Sequence, residues 1–299
     1  SAPVMYEAWC SLLPDFIQVR AVLLPGRGTR VKEAPIGNLA TLAELVGTAM
    51  LPLLGEEPFA FFGHGFGGVL AFEVARFVQA KAGRTPIHLF ISGQGSPQYY
   101  SKHGFGSHNW ADSLSTPPPA TLKLHMLTDS ELAFLLSTST RMPRHFRRNS
   151  LMLRAMMATI RADIMAEETY TYNPEPAGQP ITMKTNGKST GRGFGVQECR
   201  NGFKKDGHGN WNKTNPDPVV TCPITVCIGS MDEHVTTESL NDWAKLGDGG
   251  FAIQRLTGDH FYLEDAKSRE QVLRCIGQTL VSRLSRHSNW ITIGNEKRR

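Results

Sequence analysis

The sequence predicts an α/β fold: a mostly parallel sheet with helices on both faces and a helical insertion. Three observations predict it. Strand-length apolar runs alternate with amphipathic helical stretches over residues 19–91 and again over 224–286, the pattern of strands buried on both faces. Between residues 97 and 172 the alternation gives way to turn signals and helices. Chemistry-bearing residues follow strand-length runs directly, at the sheet edge where open α/β folds gather their sites.

Taken in order, residues 19–24 (Val-Arg-Ala-Val-Leu-Leu) closed by Pro25-Gly26 predict a buried strand entering a turn. Residues 39–54 carry Leu42, Leu45, Val46, Ala49 and Leu53 at helical spacing. Residues 59–62 predict the next strand, which meets glycines just before a helix over 69–82 with Leu70, Val74, Phe77 and Val78 on one face. Residues 87–91 form another strand. Within the insertion the clearest helix covers 151–165, through Leu153, Met157, Ile160 and Ile164. Alternation resumes with strand 224–228, helix 238–246, strand 251–256 and helix 268–286. Residues 175–215 hold eight glycines with scattered Lys and Asn and fit neither period; they read as a mobile surface insertion. The expected division is an α/β core over 1–96 and 217–286, a helical lid over 97–174, a flexible insertion over 175–216 and a basic tail over 287–299.

Composition bounds the function. A chain of 299 residues that is 40% hydrophobic and 20% charged is an ordinary globular protein, which excludes disorder and coiled coil. No apolar run approaches the roughly 18 to 20 residues that span a bilayer, and the N-terminus shows no secretory signal, so the expectation is a cytoplasmic protein without a membrane partner. Five cysteines (Cys10, Cys199, Cys222, Cys227, Cys275) without a CxxC pair predict free thiols and no structural metal. The net charge of +5 is peripheral: residues 175–215 carry seven Lys/Arg against three acids and residues 283–299 five against one. The remainder is net negative, which argues against nucleic acid as a partner.

The strand over 59–62 runs into Gly63-His64-Gly65-Phe66-Gly67-Gly68 and then a helix, the setting of a G-x-S-x-G nucleophile elbow. Gly65 stands where the serine belongs, and Gly63 and Gly67 supply the small residues of a sharp turn. Gly63, Gly65 and Gly68 also satisfy G-x-G-x-x-G. The acid that would bind a dinucleotide ribose about 20 residues on is missing, since no Asp or Glu occurs between Glu73 and Asp112. Asp232 follows strand 224–228 and His260 follows strand 251–256, in the order nucleophile, acid, histidine of α/β-hydrolases. A loop aspartate alone is usually a turn or cap residue, and a loop histidine is equally unspecific; their joint placement with the elbow is not.

These motifs, Pro25-Gly26-Arg27-Gly28-x-Arg30, Phe59-Ala60-Phe61-Phe62-Gly63-His64, Ala71-Phe72-Glu73-Val74-Ala75-Arg76, Arg161-Ala162-Asp163, Gly229-x-x-Asp232-x-x-Val235 and Gly258-x-His260-Phe261, resemble the type II thioesterases. Those α/β-hydrolases release acyl groups from the phosphopantetheine arm of carrier proteins in polyketide, nonribosomal peptide and fatty acid synthesis. The resemblance covers nearly the whole chain except 175–215 and the tail. It implies an acyl or peptidyl carrier protein as partner, no cofactor, Asp232 and His260 as catalytic acid and base, Gly65 at the nucleophile position and the Phe66 N–H as oxyanion donor, with Gly63, His64 and Gly67 in the elbow. The sequence departs from the family in two ways. Gly65 replaces the serine, and the sequence is expected to open, at Ser1-Ala2-Pro3, just after the position of the family's His-Ala-Gly-Gly-type loop, which supplies one oxyanion N–H. Loss of a triad nucleophile leaves only about 10³- to 10⁴-fold catalysis over water, so little or no turnover is expected. The rival readings are a non-catalytic binder of acyl chains or carrier protein, and an esterase or acyltransferase on the same fold.

Weaker signals remain. Met142, Met152, Met156, Met157 and Met165 either line an acyl pocket or belong to the core, and Arg27 and Arg30 either meet a phosphopantetheine phosphate or are solvated. Gly187-Lys188-Ser189 lacks the earlier P-loop glycine, Thr182 standing in its place, and Asn212-Lys213-Thr214 is a glycosylation sequon in a chain expected to stay inside the cell.

Overall fold

The computed structural model describes residues 6, 8–103, 122–139, 142–174, 203–205, 211–213 and 219–286. Its strands are β1 (Ala60–His64), β2 (His88–Ser92), β3 (Phe203–Lys205), β4 (Trp211–Lys213), β5 (Ile224–Gly229) and β6 (Phe251–Leu256). Its α-helices are α1 (Leu39–Leu54), α2 (Phe66–Ala82), α3 (Pro97–His103), α4 (Asp129–Thr138), α5 (Arg144–Arg147), α6 (Ser150–Ala155), α7 (Met157–Thr169), α8 (Thr237–Asn241) and α9 (Ala266–Arg286).

The main sheet is parallel, in the order β1-β2-β5-β6. Alternation along each strand feeds two cores. Leu89, Ile91, Ile224, Val226 and Ile228 pack with α1 and α2 residues such as Leu42, Phe72 and Val78. Phe90, Cys227 and Leu256 pack on the opposite face with Trp9, Leu263, Val272, Leu273 and Ile276. Because both faces are covered, β2 and β5 are buried at every position, which is why they read as continuous apolar runs.

The helices obey local rules. Asn38 caps α1 by accepting from the Thr41 N–H (2.9 Å), and α2 ends at Gly83 in the left-handed region (φ 61°). Thr128 and Glu131 form a reciprocal capping box at α4. Residues 124–164 build a third apolar cluster of Leu124, Leu132, Leu135, Leu136, Met142, Leu153, Met157 and Ile164. That layer is tied to the sheet body by polar contacts. Arg27 pairs with Asp163, the Thr159 hydroxyl donates to the Gly26 carbonyl (2.8 Å), and the Tyr170 hydroxyl donates to Glu73 on α2 (2.5 Å).

Four expectations are corrected. Residues 19–24 are not a strand: no edge of the described sheet accepts their backbone, and an apolar run becomes a strand only where a partner offers its hydrogen bonds. The helix expected over 151–165 is two, α6 and α7, separated at Met156. The helix expected over 238–246 is α8 followed by a 3₁₀ turn, Asp242–Lys245. Within 175–215, β3 and β4 pair antiparallel, while the rest of the expected mobile insertion and the tail over 287–299 lie outside the described residues. Cys10, Cys222, Cys227 and Cys275 are free thiols; Cys199 lies outside the described residues.

Candidate active site

The carboxyl edge of the sheet brings together the residues that the sequence separates most. After β1 the chain turns at Gly65 (φ 54°, ψ −127°), directly before α2. The Gly65 N–H donates to the Ser92 carbonyl at the end of β2 (2.8 Å), and its own carbonyl accepts from the Gly68 N–H (2.8 Å). The need for glycine falls on Gly63 and Gly68 rather than on Gly63 and Gly67. A Cβ on Gly63 would lie 2.0 Å from the Gly67 carbonyl oxygen, and one on Gly68 3.1 Å from Ile91, whereas one on Gly67 meets nothing within 4 Å.

The loops after β5 and β6 are stitched to each other. The Ser230 N–H donates to the Leu256 carbonyl (2.6 Å) and the Met231 N–H to the Gly258 carbonyl (2.9 Å). Gly229 permits this approach, since a Cβ there would meet the Asp259 carbonyl oxygen at 2.4 Å. The stitching sets Asp232 Oδ2 2.9 Å from His260 Nδ1, while Oδ1 accepts from the His234 N–H (3.0 Å). The Asp232 carboxyl is fully buried and the His260 ring 14% exposed. Burial by itself would raise the Asp232 pKa; the hydrogen bond with His260, its charge and the His234 N–H outweigh burial and hold the carboxyl below the usual range. The other ring nitrogen, His260 Nε2, lies 3.7 Å from where a Cβ on Gly65 would stand.

A second group lines the site, of which the sequence motifs marked His64 alone. His64 Nδ1 is hydrogen-bonded to the Ser92 hydroxyl (2.7 Å), which is in turn hydrogen-bonded to the Tyr262 hydroxyl. The His64 and His260 rings lie 5.0 Å apart, centroid to centroid. Burial, and then the neighbouring His260, push His64 down to about 3, so its imidazole is neutral at pH 7. Gly93 (φ 59°) lets both rings in, because a Cβ there would stand 3.1 Å from each. The one available signal was positional: Ser92-Gly93 follows a strand as Gly65, Asp232 and His260 do.

The weaker sequence signals resolve otherwise. Arg27 is largely buried and paired with Asp163, whereas Arg30 is 41% exposed and binds Glu33 and the Leu23 carbonyl, a solvated loop arginine. Met142 and Met157 are buried in the helical layer, whereas Met152 and Met165 are exposed by 41% and 42%; the methionines do not line one pocket. A cavity of about 590 Å³ between β6 and α9 is lined by Gln254, Arg255, Gln271, Arg274 and Thr279 among others, and reaches neither Gly65 nor His260. Among the described residues no helix is long and apolar enough to cross a membrane.

Parallel sheet, covering helices, strand-end turn at Gly65 and the Asp232–His260 pair define an α/β-hydrolase fold. The chain belongs to the thioesterase domain family, whose profile matches residues 2–280. It is 28% identical over 267 residues to the gramicidin S biosynthesis protein GrsT of Aneurinibacillus migulanus, covering 89% of this chain and 80% of that one. It is 25% identical over 260 residues to the medium-chain S-acyl fatty acid synthase thioesterase of Rattus norvegicus, covering 87% and 76%. In structure it is similar to the type II thioesterase BorB from the borrelidin biosynthetic cluster, with a TM-score of 0.62 at 24% identity over 93% of this chain and 86% of that one.

Proposed function

We propose that this chain is a type II thioesterase relative that receives acyl thioesters from the phosphopantetheine arm of carrier proteins, and that Gly65 cripples their hydrolytic release. One observation carries the reading: an imidazole anchored on a buried carboxylate turns its other nitrogen toward the Cβ position of a residue held at φ 54°. On this reading Gly65 occupies the nucleophile position, His260 is the base and Asp232 orients it. Gly63, His64 and Gly68 shape the elbow. The Phe66 N–H, at the first position of α2, has no intrahelical acceptor and is the oxyanion donor. The helices over 122–174 serve as the lid.

With a hydroxyl at residue 65, His260 would take its proton as the oxygen bonds to the thioester carbonyl. The thiol would leave with that proton, and water would free the acyl group by the same route. With glycine the base meets only water, no acyl-enzyme forms, and attack must occur in one step. The same residue favours a second reading, a protein that binds acylated carrier without turning it over. Both are tested by thiol release from octanoyl-pantetheine. Gly65→Ser should raise the rate about 10²-fold or more, and His260→Ala should abolish the rise. No rise, with acylated carrier still bound by the parent, selects the binding reading. Hydrolysis by the parent that is indifferent to His260→Ala overturns both.

A further inference from the structure

Residues 132–162 contain six arginines and no aspartate or glutamate. Arg161 is engaged, donating to Asp129 and to the carbonyls of His125 and Leu127. Arg144, Arg148 and Arg154 are exposed and make no ion pair among the described residues. Between them on α6 stand Leu151 and Met152, 78% and 41% exposed, beside the buried Leu153. Like charges clustered on short helices repel one another, and an exposed leucine adds nothing to the core, so this surface is not explained by folding. Its location is defined: His145 Nδ1 on α5 lies 4.0 Å from Glu264 Oε1, in the turn Tyr262–Glu264 that follows His260.

We propose that α5 and α6 form the docking surface for an acidic protein partner, the carrier of the proposed function, with Arg144, Arg148 and Arg154 pairing its carboxylates and Leu151 and Met152 filling the apolar centre. The proposal rests on the carrier-protein reading above. Arginine and methionine are both enriched at protein–protein interfaces, and arginine among the residues that carry most of the binding energy. The surface spreads over two helices, too broad for the single phosphate of a phosphopantetheine arm. Two apolar side chains also bury too little area to hold a membrane surface. Docking here would set the partner beside the loop that carries His260.

The test uses the full chain and an acidic fatty-acid-synthase carrier protein loaded with octanoate, with octanoyl-coenzyme A as the carrier-free control. The triple variant Arg144→Glu/Arg148→Glu/Arg154→Glu should bind the carrier about 10- to 100-fold more weakly at low salt, with a flatter salt dependence, while octanoyl-coenzyme A binding changes less than about two-fold. Unchanged melting of the variant shows that its fold is kept; should it melt early, Arg148→Gln/Leu151→Ser replaces it, with the same direction expected. Equal carrier binding by parent and variant overturns the docking surface and leaves the carrier reading intact. Equal losses for carrier and coenzyme A also overturn it, because the arginines would then read a phosphate. Failure of the parent to bind the carrier overturns both proposals, as does retention of the parent on phosphatidylglycerol vesicles in place of the carrier.

Discussion

Alanine at Gly63, Gly65 and Gly67 probes three backbone environments within five residues, and the structure assigns each a different free energy. At Gly67, on the first turn of α2, a Cβ meets nothing within 4 Å, so alanine should stabilise by about 0.5–1 kcal/mol, the ordinary helix gain over glycine. At Gly65 a Cβ meets only His260 Nε2, at 3.7 Å. The cost there is conformational, about 1–3 kcal/mol for holding a side chain in a sparsely populated backbone region. At Gly63 a Cβ would stand 2.0 Å from the Gly67 carbonyl oxygen, 2.4 Å from its carbon and 2.7 Å from the Gly68 Cα. All three are backbone atoms and cannot rotate aside. Strand and helix must part, at a cost of about 4 kcal/mol or more. Urea melts followed by circular dichroism should therefore rank Gly67→Ala above the parent, then Gly65→Ala, then Gly63→Ala, with loss of a cooperative transition counting as the extreme of the scale. A Gly63→Ala protein within about 1 kcal/mol of Gly67→Ala would refute the strand–turn–helix geometry on which the site reading depends.

Other outcomes follow from the same coordinates. In the Gly65→Ser protein, Asp232→Asn should lower thioester hydrolysis by up to about 10⁴-fold, because the imidazole loses its orienting carboxylate; an unchanged kcat would remove Asp232 from the mechanism. Glu73 accepts from Arg76 Nη1 with both oxygens at 2.9 Å and from Tyr170, and Arg76 is 5% exposed. Glu73→Ala should therefore cost about 3–5 kcal/mol in a denaturant melt, and a cost below about 1 kcal/mol would show the pair to be solvated. Stability should also fall in mild acid. Burial, followed by His260, lowers His64 from 6.5 to about 3, and burial, followed by Arg283, lowers His88 from 6.5 to about 4. The unfolded chain takes up these protons below pH 6.5 while the folded chain does not. The contribution is therefore complete above pH 6.5 and lost as pH falls toward 4 and 3, on the order of 2 kcal/mol for each histidine by pH 5. Denaturant midpoints at pH 7 and pH 5 should show the loss, and His88→Gln should reduce it; a midpoint independent of pH would contradict the buried neutral histidines.

What the sequence determined by itself was local or ordinal. Apolar period marked α1, α2, β2 and β5, because strands covered on both faces and helices covered on one must carry those patterns whatever their partners. Chain order marked Gly65, Asp232 and His260, since each directly follows a strand and parallel strands deliver their ends to a common edge. The tertiary structure decided whatever depended on a distant partner. Residues 19–24 have strand composition but no neighbouring edge, and hydrogen bonds between strands are a property of pairs. Arg27, Met142 and Met157 looked available in sequence; Asp163 and the helical core claim them, from as far as 136 residues away for Arg27. Ser92, Gly93 and Tyr262 carried no motif at all. They join His64 and His260 only because the loops after β1, β2 and β6 close on one point, and the space around a side chain is set by backbone that arrives from elsewhere.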